Sequence, residues 1–327
     1  MPFFLQSPIW MQSIWKKLTR AVVMAGCFWM SPERKKEMER WLRGREQWKK
    51  LRQADCVVVS FGKSGRTWLR VMISRFFQVR DGLPEHLLIG FDNFHRRRPA
   101  VPKIFFTHDN YLEDYTGHRD SRSDYRGRKV VLLVRHPGDV AVSQYFQWRF
   151  RMKPHKKAIN DYPEHGEEVG VFDFMHANGG GLPKILRFMD LWAREIAQND
   201  DVLIVRYEDL RSQPEAELAR LLEFIGTPGS EEQVAEAVRF ASFDNMRKLE
   251  EKRTFWLSGG RMKPKDRNNP DSFKVRRGKV GGFRDYLEDS EIERIEKQLE
   301  AALDPVWRYT PAEPSGQSGE SGKEGTA

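Results

Sequence analysis

The chain has 327 residues, of which 39% are hydrophobic and 31% charged, so it can bury a sizeable core beneath a polar surface. This composition excludes a fibrous or wholly disordered protein. The formal net charge of +9 suits an anionic partner, such as a nucleotide, a nucleic acid, an acidic glycan or a lipid headgroup, without choosing among them. The two cysteines, Cys27 and Cys56, argue against a disulfide framework and favour a reducing compartment.

The N-terminal part, residues 1–51, is predicted to be a helical extension. Residues 8–30 mix tryptophan and aliphatic residues with lysine and arginine. Their longest uncharged stretch, Ala21 to Met30, falls short of the roughly 20 residues that a membrane-spanning helix needs. Two interpretations remain open: an amphipathic helix that makes peripheral contact with a membrane, and a helix packed on the domain.

Beyond this extension, short apolar runs alternate with segments of helical spacing. The predicted strands are 57–59, 104–106, 130–134 and 202–205, and the predicted helices are 32–54, 67–79, a helix from 139 onward, and 214–225. Short strands without polar alternation are typical of a parallel sheet covered on both faces. The fold class is therefore α/β: a P-loop-like, doubly wound, mainly parallel sheet flanked by helices on both faces.

Polar, glycine-rich and proline-rich stretches mark the connections and the end of the domain. Residues 150–182 are predicted to form a long loop or lid, and residues 258–269 a basic, turn-rich segment. Residues 310–327 contain almost nothing apolar and are predicted to be a disordered tail. The folded domain is therefore expected to span residues 52–309.

The strongest local signal is the segment S-F-G-K-S-G-R-T-W-L-R, which directly follows the first predicted strand and opens a helix. Its glycines allow a tight turn, and the amides of residues 64–67 would converge at a helix N-terminus, where phosphate or sulfate oxygens bind. Lys63 adds a positive charge there. A nucleotide-hydrolase P-loop would need glycine at position 57, which is Val57, so a metal-dependent kinase or ATPase is disfavoured.

The motif K-S-G-x-T-W resembles the 5'-phosphosulfate loop of the sulfotransferases that use 3'-phosphoadenosine 5'-phosphosulfate (PAPS), in their cytosolic-type, bacterial branch. Three further segments resemble that family in the same order: Arg135 to Ser143 its 3'-phosphate segment, Tyr207 to Leu210 an adenine-contacting segment, and Arg276 to Arg284 its R-K-G element. Four motifs in order are a specific signal, whereas each alone is weak.

The resemblance implies that PAPS is the co-substrate and that no metal is needed. Lys63, His108 and Ser143 are the expected catalytic residues. The expected nucleotide-binding residues are Lys63, Ser64, Gly65, Arg66, Thr67, Trp68, Arg135, Ser143, Tyr207, Ser242, Phe243, Arg276, Arg277 and Gly278. The arginines suit phosphate groups, and the aromatic residues would surround adenine.

His108 is the expected base, because a neutral imidazole accepts a proton at ordinary pH and this residue matches the family's K-T-H segment. The lysine of that segment is Phe106 here. The substitution removes a charge that would stabilise the transferring group. Lys63, or a base from elsewhere such as Lys103, would have to compensate.

The implied activity is in-line transfer of a sulfuryl group from PAPS to an acceptor hydroxyl or amine. The acceptor, whether a small molecule, a lipid or a glycan, is left open, as is a homodimer, and nucleic acid is not expected as a partner. The expected location is the cytoplasm, with the inner face of a membrane as an alternative. Two other functions remain: a nucleotide-dependent phosphotransferase, and a non-catalytic protein that binds nucleotide or polyanion.

Overall fold

The computed structural model describes residues 29–255, 262 and 264–309, together with positions 22, 23, 26 and 27. The predicted tail, 310–327, lies outside the described residues, as do most of residues 8–30 and, within the basic segment 258–269, positions 258–261 and 263. Among the described helices, none combines the length and the apolar character that crossing a bilayer requires.

The described residues contain a four-stranded parallel sheet in the order β2-β1-β3-β4. The strands are β1 (Cys56–Ser60), β2 (Ile104–Thr107), β3 (Lys129–Val134) and β4 (Val202–Arg206). Val57 lies opposite Phe105 on one side and Val130 on the other. Because all four strands run in the same direction, their carboxyl ends meet at a single edge of the sheet.

Helices cover both faces of this sheet. They are α1 (Pro32–Leu51), α2 (Arg66–Asp81), α3 (Leu112–Thr116), α4 (Pro137–Phe150), α5 (Pro154–Ile159), α6 (Val171–His176), α7 (Leu182–Ile196), α8 (Tyr207–Ser212), α9 (Pro214–Phe224), α10 (Glu231–Phe240), α11 (Phe243–Glu251) and α12 (Asp289–Ala302). Val58 belongs to one hydrophobic cluster and its neighbours Val57 and Val59 to another, so alternate strand residues fill two separate layers. The predicted fold class, strands and helices are confirmed.

Helix α1 packs closely against the domain. Its Gly44 lies so near the next layer that a Cβ atom there would sit 2.1 Å from the carbonyl oxygen of Tyr111. Arg40 donates to Asp114 of α3 at 3.1 Å, and Trp41 lies 5.3 Å from the ring of Tyr115. Residues 32–51 of the predicted extension are therefore a helix packed on the domain, whereas most of residues 8–30, to which the two interpretations apply, lies outside the described residues.

The prediction of one long loop over 150–182 is wrong in part, because α5 and α6 lie inside it. Phe174 of α6 is fully buried and packs against Trp148. Gly179 and Gly180 allow the close approach, since a Cβ at Gly179 would sit 1.9 Å from the carbonyl oxygen of Asp161. The glycine run that suggests a loop is here a requirement of tight packing.

Candidate active site

A cleft of about 790 Å³ opens at the carboxyl edge of the sheet. Each strand delivers one predicted site residue to its lining: Lys63 after β1, His108 after β2, Arg135 after β3 and Tyr207 after β4. Ligands of open α/β sheets bind outside the carboxyl ends of the strands. The topology therefore gathers side chains that are far apart in the sequence.

The turn between β1 and α2 places its backbone at the base of this cleft. Lys63 has φ 73° and Gly65 φ 92°, so two of its residues adopt the left-handed conformation. A Cβ at Gly65 would sit 2.6 Å from the ring of Tyr207, so both its conformation and its surroundings require glycine. Helix α2 begins at Arg66, and the first amide groups of a helix point toward the place before its N-terminus where an anion binds.

Positive charge is concentrated around Lys63. Burial of its ammonium, together with the charges of Arg151, Arg135 and Arg276, lowers the pKa of Lys63 to about 7, against the opposing effect of Glu250. Cations held this close to one another repel. The cleft is therefore prepared for an anionic ligand, which would relieve this repulsion.

Arg135 connects the anion loop to a segment far along the chain. Its guanidinium donates to the carbonyl oxygens of Lys63, at 3.4 Å, and Lys279, at 2.9 Å. It also pairs with Asp139 at 3.2 Å. The carboxylate of Asp139 also accepts hydrogen bonds from two backbone amides of this later segment, those of Gly281, at 2.9 Å, and Phe283, at 3.0 Å. Asp139 therefore fixes the later segment over the cleft.

A second buried carboxylate, Glu250 of α11, holds the same segment from the other end. It accepts from the amides of Lys274, at 2.8 Å, and Val275, at 2.9 Å, and from Arg151 at 3.3 Å. These residues directly precede Arg276, whose guanidinium lies 3.7 Å from the ring centre of Phe146. Arg276 is thus positioned at the cleft.

Arg277 also lines the cleft but is half-exposed at its rim. It pairs with Asp285 at 2.6 Å and donates to the hydroxyl of Tyr286 at 3.1 Å. Lys63 and Arg277 therefore face the same cavity from two different segments of the chain.

Three aromatic residues and Gly278 form the other end of the cleft. Trp68 donates through its indole N–H to the carbonyl oxygen of Ala241 at 2.7 Å and lies edge-on to Tyr207, with ring centres 5.8 Å apart. Phe243 is 37% exposed, and a Cβ at Gly278 would meet its ring at 3.2 Å. This surface suits a flat heterocycle.

His108 is held in one tautomer. Its Nδ1 lies 2.9 Å from the carbonyl oxygen of Ser60, which can only accept, so the ring hydrogen is on Nδ1. Its Nε2 lies 2.6 Å from Nη2 of Arg66 and accepts from it. Burial and the charge of Arg66 lower the pKa of His108 well below its usual value, despite the opposing bond to Ser60. The imidazole is therefore neutral, and its Nε2 lone pair is occupied by the guanidinium of Arg66 at the cleft wall.

The ring of Phe106 stacks on Arg70, whose guanidinium carbon lies 3.8 Å from the ring centre. Arg70 and Arg66, on the first two turns of α2, thus bring two guanidinium groups to the place where the family has a lysine. Lys103, by contrast, precedes β2 at the amino edge of the sheet, where its amide bonds to Asp55 at 2.8 Å. That residue is remote from the cleft.

Most of the predicted site residues line one cavity. Those that do so are Lys63, Gly65, Arg66, Thr67, Trp68, His108, Arg135, Ser143, Tyr207, Phe243, Arg276, Arg277 and Gly278. Ser64 is buried behind the loop and can contribute only its backbone, while Ser242 is exposed at the start of α11. Neither side chain lies on the cavity wall.

The sequence prediction missed the two carboxylates that position the arginines, Asp139 and Glu250. Asp139 stands within the predicted 3'-phosphate segment, four residues after Arg135, and that spacing on a helix start is a signal that could have revealed it. Glu250 has no such signal, because its partners are backbone amides of a distant segment.

The sulfotransferase domain family model matches residues 53–306. This chain belongs to the sulfotransferase family. Cytosolic sulfotransferase 12 of Arabidopsis thaliana is 27% identical over 271 residues, which is 76% of this chain and 77% of that protein. Flavonol 3-sulfotransferase of Flaveria bidentis is 24% identical over 289 residues, 81% of this chain and 88% of that protein.

Two solved structures share the fold of this sulfotransferase. One is a mouse sulfotransferase complexed with PAP, with a TM-score of 0.51 and 19% identity over 80% of this chain and 92% of that one. The other is a retinol dehydratase in a complex with retinol and PAP, with a TM-score of 0.51 and 18% identity over 84% of this chain and 95% of that one. PAP is 3'-phosphoadenosine 5'-phosphate.

We expect Asp139→Asn to weaken the binding of PAP by about tenfold or more. The side-chain amide of asparagine lacks the negative charge that holds Arg135, and it would place an N–H opposite a backbone amide that now donates. The loss should be large because hydrogen bonds to charged groups contribute about 1.5–3 kcal/mol each. Isothermal calorimetry would measure the change. Asp190→Asn, in a surface pair on α7, is the matched control. Unchanged affinity in the Asp139 variant would contradict this positioning role.

Proposed function

We propose that this chain is a PAPS-dependent sulfotransferase that transfers the sulfuryl group to a hydroxyl or amine of a small-molecule acceptor. The observation that carries the proposal is that the anion loop, the arginines of two separate segments and His108 line one cavity. The family match supports sulfuryl transfer over a phosphotransferase or a non-catalytic binding protein.

The cleft offers a complementary group for each part of the nucleotide. The loop amides and Lys63 would hold the 5'-phosphosulfate, and Arg135, Arg276 and Arg277 the 3'-phosphate, because guanidinium groups match phosphate oxygens. Trp68, Phe243 and Tyr207 would enclose adenine. Ser143 lies on α4 two turns beyond Arg135, so its hydroxyl would serve the same phosphate.

His108 would act as the base. The acceptor hydroxyl would take the place of Arg66 at Nε2 and give its proton to that lone pair while its oxygen bonds to sulfur. The bond from sulfur to the 5'-phosphate oxygen breaks, and its electron pair stays on that oxygen. Lys63 neutralises the charge that develops there, which makes electrostatic stabilisation the main contribution.

Arg66 would replace the cation that Phe106 removes. Its guanidinium already lies against Nε2, the atom that receives the acceptor proton. Once the hydroxyl occupies Nε2, the guanidinium would turn to the oxygens of the transferring group. The stack of Arg70 on Phe106 adds a second positive charge behind it.

The acceptor class and the cellular setting are extended from the relatives. The names of the Arabidopsis relatives call them cytosolic, and a flavonol is the acceptor in the name of the Flaveria enzyme, which supports a cytoplasmic enzyme with a small acceptor. Lipid or glycan acceptors, membrane contact through residues 8–30, a homodimer and independence from added metal stay predictions.

We expect PAP to bind at least about tenfold more tightly than 5'-adenosine monophosphate, because only PAP carries the group that Arg276 and Arg135 would contact. Calorimetry on the native protein and on Arg276→Met would test this, with Arg239→Met in an exposed pair on α10 as control. The substitution at Arg276 should narrow the difference. Equal affinities in the native protein would remove the proposed 3'-phosphate site.

Nucleotide binding should take up a proton above neutral pH. The pKa of Lys63 is about 7 without ligand, so its amine is mainly neutral above that pH, and bound anions would raise the pKa and restore the charge. PAP affinity should therefore fall from about pH 7 to about pH 9, by up to about tenfold per unit. Calorimetry in buffers of different ionisation enthalpy measures the uptake, and Lys63→Met should abolish it. A PAP affinity that does not change between pH 7 and pH 9 would refute this rise in the pKa of Lys63 on binding.

Replacing the base should separate catalysis from binding. His108→Ala is expected to lower kcat by about 10²- to 10⁴-fold, the usual range for general acid-base catalysis, with PAP affinity nearly unchanged. Transfer of labelled sulfate from PAPS to 2-naphthol would report kcat. His118→Ala, with its imidazole 56% exposed, is the control. A kcat in the His108 variant close to that of the native protein would rule out its role as base.

A further inference from the structure

One part of the cleft lies beyond the nucleotide-binding residues and carries a charge that PAPS does not explain. Helix α1 and the segment 152–184 form this wall. Their charged lining residues are Arg43, Glu46, Lys50, Lys153, Lys156 and Lys184. Five cations thus face the cavity with one carboxylate. We call this part the cationic chamber.

Neighbouring residues balance only some of this charge. Arg43 pairs with Glu39, so it contributes little to the chamber. Lys184 is different, because the part of the chain that the structure describes places no carboxylate within ion-pair distance of its amine. The carboxylates that act on it from a longer range, those of Asp161, Glu113 and Asp114, are each paired with an arginine.

Lys184 is also partly buried. Burial and the charge of Arg40 lower its pKa, while Asp161 and Glu113 act in the opposite direction. A buried ammonium without a partner is costly, and an anion in the cavity would supply the missing interaction. Lys184 lines the cleft, so an anion bound in the cleft could reach its ammonium.

Hydrogen bonds and close packing position the polar and aromatic residues of the chamber. Asn160 accepts from the hydroxyl of Tyr111 at 2.9 Å and donates to the carbonyl oxygen of Lys156 at 2.9 Å. Tyr162 packs against Phe174, and a Cβ at Gly180 would sit 2.2 Å from its ring. The aromatic side chains suit a ring of the ligand and the cations suit an acidic group, so the chamber favours a ligand that has both.

We infer that the cationic chamber selects acceptors in which an anionic group, a carboxylate, phosphate or sulfate, accompanies the hydroxyl that is sulfated. The inference rests on the proposed function and adds the acceptor class to it. With the anion near Lys184 and Lys153, the reacting hydroxyl would extend toward Nε2 of His108, because both ends belong to the same cavity. A neutral acceptor would leave the ammonium of Lys184 partly buried without an ion-pair partner in the cleft.

The test measures acceptor binding to the protein saturated with PAP, so no turnover is required. Two matched pairs distinguish a free small acid from an acidic oligosaccharide: 6-hydroxy-2-naphthoate against 2-naphthol, and tetragalacturonate against maltotetraose. The acidic member of at least one pair should bind about tenfold or more tightly, and raising the salt concentration should reduce that preference.

The variants Lys184→Gln and Lys153→Gln should each reduce the preference, the first by more because its cation is less solvated. Lys49→Gln, on the exposed side of α1, should leave it unchanged. Since Lys153 is exposed at the rim, its variant keeps the test valid even if Lys184→Gln fails to fold.

The outcomes separate this inference from the proposed function. PAP binding that discriminates against 5'-adenosine monophosphate, combined with equal or absent binding of both members of both pairs, overturns the acceptor class alone. Loss of that nucleotide discrimination overturns the proposed function instead. A preference that persists unchanged in both lysine variants also overturns the cationic chamber.

Discussion

Mutual repulsion among cations is the constraint on which this active site depends. Burial and the nearby charges of Arg151, Arg135 and Arg276 lower the pKa of Lys63, so these arginines must be held in place before a ligand arrives. Two buried carboxylates do this from opposite ends of one segment: Asp139 binds the amides that follow Arg276, and Glu250 binds those that precede it. Preorganised charge of this kind costs no rearrangement during reaction.

The order of strands in the sheet explains which part of the site the sequence could predict. Lys63, His108 and Arg135 each follow a short apolar strand, and parallel strands end at one edge, so their convergence follows from the order of elements. Glu250 and the helices α5 and α6 could not be predicted in this way. Their positions depend on contacts between distant segments. The glycines at 179 and 180 suggest a loop in the sequence, but in the structure they allow close packing against Asp161 and Tyr162.

The two serines show the limit of carrying a motif over by position. Ser143 lies in the cleft because it follows Arg135 by about two turns of helix and therefore lies on the same face. Ser242 has no such relation, and at the exposed start of α11 its side chain is turned away from the cavity that Phe243 lines. A sequence match therefore places the backbone of a motif more reliably than each of its side chains.

The departure at Phe106 has a structural counterpart in α2. A phenylalanine at that position gives Arg70 a ring to stack on, and Arg66, one turn earlier on the same helix, reaches His108. A guanidinium on the base suppresses its protonation, whereas the same guanidinium at the transferring group would stabilise developing charge. Binding of the acceptor would thus convert a restraint on His108 into assistance, which couples acceptor recognition to catalysis.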